Sequence, residues 1–156
     1  MIQLILVRHA KSDWSDPSLA DHDRPLNKRG RANAPMMAER LVGSGVSVDQ
    51  IHSSTAVRAR TTAEVFGEAL GLSVELDPAM YLASGSALLA KAAATGARSV
   101  MLVAHDPGIT NLAERLSDGG IEHMPTCAVA RFEWEANTWA EIGSRVADTW
   151  SLDTVR

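Results

Sequence analysis

Residues 99–108 read Ser-Val-Met-Leu-Val-Ala-His-Asp-Pro-Gly, and this stretch decides the class of fold. Val100, Met101, Leu102 and Val103 follow one another without a polar residue, as expected of a strand covered on both faces. Pro107 and Gly108 then open a helix running to about Leu116. A buried strand feeding a helix belongs to an α/β unit, and the rest of the chain repeats that alternation. Ile2 to Val7 is a buried first strand. A polar loop from Lys11 to Pro25 gives way near Asn27 to a helix with Ala34, Met37, Ala38 and Leu41 at helical spacing, ending at Gly43. Val48 to Ser53 is a second strand, and Thr55 offers an N-cap for a helix to about Leu70, closed by Gly71. Val74 to Leu76 is a third strand, stopped by Asp77 and Pro78, and Ser84 or Ser86 caps an alanine-rich helix closed by Gly96. After a loop at Gly119-Gly120, two alternating segments, Ala128 to Glu133 and Thr138 to Val146, are expected as edge strands or a hairpin. The expected architecture is a three-layer α/β/α fold with a mainly parallel central sheet. No linker interrupts residues 1–156, so a single domain is expected.

Composition bounds the function. Of 156 residues, 46% are hydrophobic, which excludes intrinsic disorder and provides for one substantial core. No apolar run approaches the ~20 residues of a membrane span. The run Ile2 to Val7 is too short for a signal-peptide core and lacks a basic leader, so a cytoplasmic location is expected. Cys127 is the one cysteine, which excludes an internal disulfide and a cysteine-based zinc site. A cysteine-dependent phosphatase needs an arginine six positions after its thiolate; here Arg131 follows at four, so Cys127 is read as core. The net charge of −4 argues against nucleic-acid or membrane-surface partners. Yet residues 1–60 hold 9 of the 15 basic side chains and 6 of the 19 acidic ones, which leaves room for a focused anion site.

Ligands of open parallel sheets bind beyond the carboxyl ends of the strands. Arg8 and His9 follow the first strand, Arg58 lies in the helix after the second, and His105 follows the fourth. Two histidines and two arginines, with helix N-termini nearby, form a set suited to phosphoryl transfer. Arginine offers parallel donors to phosphate oxygens and stays charged at any working pH. One histidine can attack phosphorus and carry the group covalently, while a second donates to the equatorial oxygens in the transition state. The positive charge then comes from side chains, so neither a metal nor a cofactor is expected.

The same residues carry a resemblance. Leu6-Val7-Arg8-His9-Ala10-Lys11-Ser12 resembles the opening motif of the histidine phosphatase superfamily, the phosphoglycerate-mutase-like proteins. Ser53 to Ala63 resembles its second motif, Val103 to Gly108 its third, and Pro25-Leu26-Asn27-Lys28-Arg29-Gly30 the stretch that opens its first helix. By that resemblance His9 is the phosphorylated nucleophile, and Arg8, Arg58 and His105 complete the phosphate pocket. Ser15 falls where relatives place a residue that touches the phosphate. The short length and the Arg-His-Ala-Lys-Ser-Asp-Trp opening are most similar to the SixA-like phosphohistidine phosphatases, which implies a domain without a lid subdomain.

One departure bears on the substrate. Many members of the superfamily carry a carboxylate after the third strand as general acid, and here that stretch reads Asp77-Pro78-Ala79-Met80-Tyr81-Leu82-Ala83. An alkoxide leaving group needs a proton, whereas imidazole departs from phosphohistidine as a neutral ring. The expected substrate is therefore phosphohistidine on a partner protein. Small phosphate esters such as sugar phosphates or nucleotides are the alternative, with Asp77, Glu75 or Asp13 as the acid, and a non-catalytic phosphate-binding module is a second. Asp21-His22-Asp23 has the spacing of an aspartyl phosphatase pair but follows no hydrophobic strand, so it is read as a solvated loop. His22, His52 and His123 lack the paired spacing of metal ligands.

Overall fold

The computed structural model describes residues 1–156. Its strands are β1 (Ile2–Arg8), β2 (Gln50–Ser53), β3 (Val74–Leu76), β4 (Ser99–Ala104), β5 (Val129–Trp134) and β6 (Thr149–Asp153). They form one sheet in the order β3-β2-β4-β1-β5-β6. Strands β3, β2, β4 and β1 run parallel, and β5 lies antiparallel to both β1 and β6. The helices are α1 (Lys28–Gly43), α2 (Val57–Leu70), α3 (Gly85–Ala94), α4 (Gly108–Leu116) and the short α5 (Trp139–Ile142).

The continuous apolar runs of β1 and β4 are explained by the layers they separate. Ile5, Val7, Met101 and Val103 face one core with Met37 of α1 and Phe66 of α2. Leu4, Leu6, Val100 and Leu102 face the other with Leu88 of α3 and Leu112 of α4. Alternate side chains therefore bury on opposite sides, and a strand with two buried faces shows no polar alternation. The fold is α/β, three-layered and mainly parallel, as the sequence suggests.

Strand β1 leads to α1 on one face, and its neighbour β4 leads to α4 on the other. The chain thus parts in opposite directions at adjacent strand ends and leaves a crevice between them. Gly108 starts α4 in tight quarters, since a Cβ there would sit 1.9 Å from the Ala83 carbonyl oxygen. That contact fixes the segment after β3 against the start of α4.

Two expected elements differ. Thr55 does not cap α2, which has Ala56 at that position without a side-chain cap; the Thr55 hydroxyl instead meets Nε2 of His22 at 2.8 Å. Thr138 to Val146 is not a strand. Thr138 accepts a hydrogen bond from the Glu141 amide, Glu141 accepts one from the Asn137 amide, and Trp139 and Ile142 bury together on one side of α5. A Thr-x-x-Glu capping signal prevails over a short alternation. The closing strand is β6, so β5 is interior to the sheet rather than at its edge. Trp134 and Trp139 pack in the core, whereas Trp150 on β6 is exposed.

Candidate active site

Backbone register brings the strand ends together first. Arg8 pairs with Ala104 across β1 and β4, so His9 and His105 emerge side by side, with ring centroids 5.2 Å apart. The backbone of β1 is held on both flanks here: the Arg8 amide donates to Ala128, the His9 amide to Ala104, and the Cys127 amide to the Arg8 and His9 carbonyls. Cys127 is buried as expected, with its thiol pushed up to about 12 by burial. On the other side, the Ala10 amide donates to the Thr62 hydroxyl, which donates to the Arg58 carbonyl. Thr62 thereby locks the turn after β1 to the first turn of α2, which carries Arg58.

The result is a cavity of about 260 Å³ lined by Arg8, His9, Arg24, Arg58, His105 and Asp106, with Lys11, Ser12, Trp14, Leu82 and Thr126 completing the wall. His9 Nδ1 lies 2.7 Å from the Ala10 carbonyl oxygen. A carbonyl only accepts, so Nδ1 carries the proton and Nε2 keeps its lone pair. Burial lowers the His9 pKa to about 4, with Arg58 and Arg8 adding to the effect against the opposing Ala10 hydrogen bond, so the ring is neutral at neutral pH. Burial and then His9 and Arg58 lower His105 to about 3. His105 Nε2 sits 2.8 Å from the Ser54 hydroxyl, which itself accepts from the Ala56 amide. With the ring proton on Nδ1, the Ser54 hydroxyl donates to Nε2. Nδ1 has no partner within the protein, and neither have the buried Nε atoms of Arg8 and Arg58.

The Asp21 carboxylate, to which the sequence assigns no site role, organises this wall. The Arg58 terminal nitrogens donate to the Asp21 carbonyl at 2.6 Å and to its Oδ2 at 2.9 Å. Arg24 donates to Oδ1 of the same carboxylate and to the Ser12 hydroxyl, and its guanidinium stacks 3.4 Å above the Trp14 ring. Tyr81 donates its hydroxyl to Asp21 and presents its ring edge-on to His105 and His22. The Tyr81, Arg58 and Arg24 donors hold the Asp21 carboxyl at about 2. Asp21-His22-Asp23 is solvent-exposed as expected, and as a short 3₁₀ turn it also clasps two arginines. Buried arginines need anionic partners, and Asp21 serves Arg24 and Arg58 together.

The four residues expected from the strand ends thus converge, and Ser15 does not join them. Ser15 is exposed, and its amide donates to Asp13 at 2.7 Å. Ser12 lines the cavity instead. None of the three carboxylates weighed as general acid lines it either. Asp77 pairs with Lys91 at 3.0 Å, Asp13 is engaged by Ser15, and Glu75 is exposed on β3. The carboxylate that does line the cavity is Asp106, whose Oδ1 accepts from Thr110. No group of three or more histidine, cysteine or acidic side chains is arranged to hold a metal ion, and no helix is long and apolar enough to cross a membrane.

Comparison with known proteins agrees with this geometry. Residues 4–81 match the model of the histidine phosphatase superfamily (branch 1). An uncharacterised chloroplastic protein of Arabidopsis thaliana is 33% identical over 89% of this chain and 69% of its own length. An Agrobacterium tumefaciens structure assigned as the phosphohistidine phosphatase SixA is similar, with a TM-score of 0.78 and 32% identity over 85% of this chain and 92% of that one. A second structure so assigned, from Nakamurella multipartitia, gives a TM-score of 0.85 at 25% identity, covering 98% of this chain and 95% of that one. Two histidines meeting at adjacent strand ends between a pair of buried arginines thus have an ancestry, and the chain belongs to the histidine phosphatase superfamily.

Proposed function

We propose that the chain is a phosphatase that works through a phosphohistidine on His9 and prefers phosphohistidine of a partner protein as substrate. The observation that carries this reading is the set of unpartnered donors. Four buried side-chain nitrogens lack a hydrogen bond within the protein, and three of them belong to Arg8, Arg58 and His105 around His9. Buried polar groups are almost always satisfied, so unmet nitrogens on three residues that line one cavity fit an acceptor-rich ligand such as phosphate.

Nε2 of His9 attacks phosphorus while the bond from phosphorus to the substrate's imidazole nitrogen breaks. The leaving ring, already protonated on its other nitrogen, departs neutral. Because Nδ1 of His9 keeps its proton on the Ala10 carbonyl, the phosphorylated ring is cationic and leaves readily in its turn. Water then attacks phosphorus, the bond to Nε2 breaks to leave the His9 ring neutral, and dihydrogen phosphate is released carrying both of the water's protons. Arg8, Arg58 and the Nδ1 proton of His105 bind the equatorial oxygens in both steps, where fixed donors in a desolvated site act most strongly. The positive charge comes from side chains, so no metal and no cofactor takes part in this scheme. Asp21 and Tyr81 position Arg58. Ser15 has no role in the scheme, since its amide is engaged with Asp13.

A second reading is favoured by Asp106, the one carboxylate in the cavity wall. As a proton donor to an alkoxide it would suit hydrolysis of small phosphate esters such as sugar phosphates or nucleotides. Phosphate release separates the two. Expected is turnover of a phosphohistidine-bearing protein and of phosphoramidate, unaffected by chelator and retained by Asp106→Asn. Faster turnover of alkyl phosphates, lost in Asp106→Asn, would establish the ester reading instead.

A further inference from the structure

Beside the catalytic cavity lies a larger one, of about 590 Å³, lined by Lys11, Arg29, Asn33, Thr126 and the segment Thr154 to Arg156. The two share Lys11 and Thr126. Three cations line the larger cleft and no acidic side chain does, in a protein of net charge −4. None of the ion pairs in the molecule involves Lys11, Arg29 or Arg156.

The cleft is built by packing rather than by chance proximity. Arg29 and Asn33 are four residues apart on α1 and so share one face of the helix. Helix and strand-end loop are pressed together at Gly30, where a Cβ would lie 2.2 Å from the Lys11 carbonyl oxygen. The Asn27 amide donates to that same carbonyl, so Lys11 is fixed beside the first turn. Thr126 precedes Cys127, whose amide is bound to Arg8 and His9. Arg40 closes the far wall by donating to the carbonyls of Thr154 and Arg156. The charge pattern is also costly without an anion: α1 opens with Lys28, Arg29 and then Arg31, with no acidic residue in its first turn. Cations at a helix N-terminus are repelled by the helix dipole as well as by each other, and a bound anion relieves both.

We infer that this cleft is a second oxyanion site, taking another anionic group, phosphate or carboxylate, of the substrate whose phosphoryl group sits on His9. The inference rests on the phosphatase reading for its substrate coupling, but binding itself can be tested independently. Inorganic phosphate is titrated into the wild-type protein and into Arg29→Glu, following backbone amides by NMR. Two sets of shifts with separate midpoints are expected, one at Arg8 and His105 and one at Arg29, Asn33 and Thr126. Arg29→Glu weakens the second set at least about tenfold and leaves the first unchanged. A single set confined to the catalytic cavity, or a second set indifferent to Arg29→Glu, would overturn the site.

Kinetics then identifies the source of the anion. Arg29→Glu is compared on phosphoramidate, on a small bisphosphorylated compound and on a phosphohistidine-bearing protein. KM for phosphoramidate is expected to stay constant while KM rises about tenfold for a substrate that supplies the second anion, with kcat retained. A rise for the bisphosphorylated compound alone identifies phosphate, and a rise for the protein alone identifies carboxylates on its surface. Equal effects on all three substrates, or none, would overturn the coupling. Failure of the phosphatase reading is distinct: phosphoramidate would not turn over in the wild type, whereas the phosphate titration would still report on the cleft.

Discussion

The two ends of the sheet bury polar groups in opposite ways. At the amino end, Gln3 donates to the Ser99 hydroxyl at 2.7 Å and to the Ser47 carbonyl, the Ser99 hydroxyl donates to the Ser47 carbonyl and its amide to the Asp49 carboxylate, and Arg131 donates to Gln3. Every partner there is another part of the protein. At the carboxyl end, Arg58 and His105 are as deeply buried and Arg8 is partly so, yet each keeps a buried nitrogen with no partner. An intramolecular hydrogen bond contributes about 1 kcal/mol net, whereas an unmet buried donor costs about 1–3 kcal/mol. The amino end satisfies its polar groups internally, and on the proposed reading the carboxyl end forgoes some stability to keep nitrogens for a ligand.

This contrast can be broken or sharpened experimentally. The largest effect is expected from His9→Asn, which removes the proposed nucleophile and should lower kcat by about 10⁴-fold or more. Arg58→Ala should cost about 10²–10³-fold in kcat/KM, because a guanidinium aimed at the transferring group is lost. A steady-state assay on phosphoramidate checks both, and a His9→Asn protein with normal turnover would erase the distinction between the two ends. Asp21→Asn should be milder, about tenfold in kcat/KM, since Arg58 keeps its bond to the Asp21 carbonyl. Gln3→Ala should invert the pattern, costing about 1–2 kcal/mol in denaturant unfolding while leaving kcat/KM unchanged.

The smallest expected effect is on the pH dependence of stability. His9 and His105 are lowered from 6.5 to about 4 and about 3 in the folded protein. The unfolded chain therefore binds protons first, so the stability contribution is complete above the unfolded value and declines as pH falls below it. Denaturant midpoints should drop as pH falls from about 7 to about 5, and His9→Asn should shrink that slope. An unchanged slope would mean that His9 is not held neutral by burial.

Legibility in the sequence followed the same division. Strands β1 and β4 are readable because burial on two faces leaves an unbroken apolar run, and Arg8, His9 and His105 because ligands gather where such runs end. Asp21, Arg24, Ser54 and Tyr81 are not readable in this way. They lie in polar stretches without periodicity, and they acquire their places only when distant loops meet across the crevice. Asp106 adjoins His105 in the sequence, but only the fold distinguishes it from Asp77, Glu75 and Asp13 by placing it in the cavity wall. Trp14 is the exposed platform for Arg24 at the cavity wall, a place set by the loop's fold rather than by any pattern in the sequence. At the chain's end, β6 is exposed throughout and so lacks the apolar run that marks the inner strands.

The central claim is that His9 carries the phosphoryl group. The direct measurement is to mix the protein with phosphoramidate, quench it in alkali, where phosphohistidine survives, and map phosphorylation by mass spectrometry. A phosphoryl group on the His9 peptide, absent from His9→Asn and chased away by water, is the expected result. Turnover with no phosphorylated peptide, or with the group on another residue, would contradict the account.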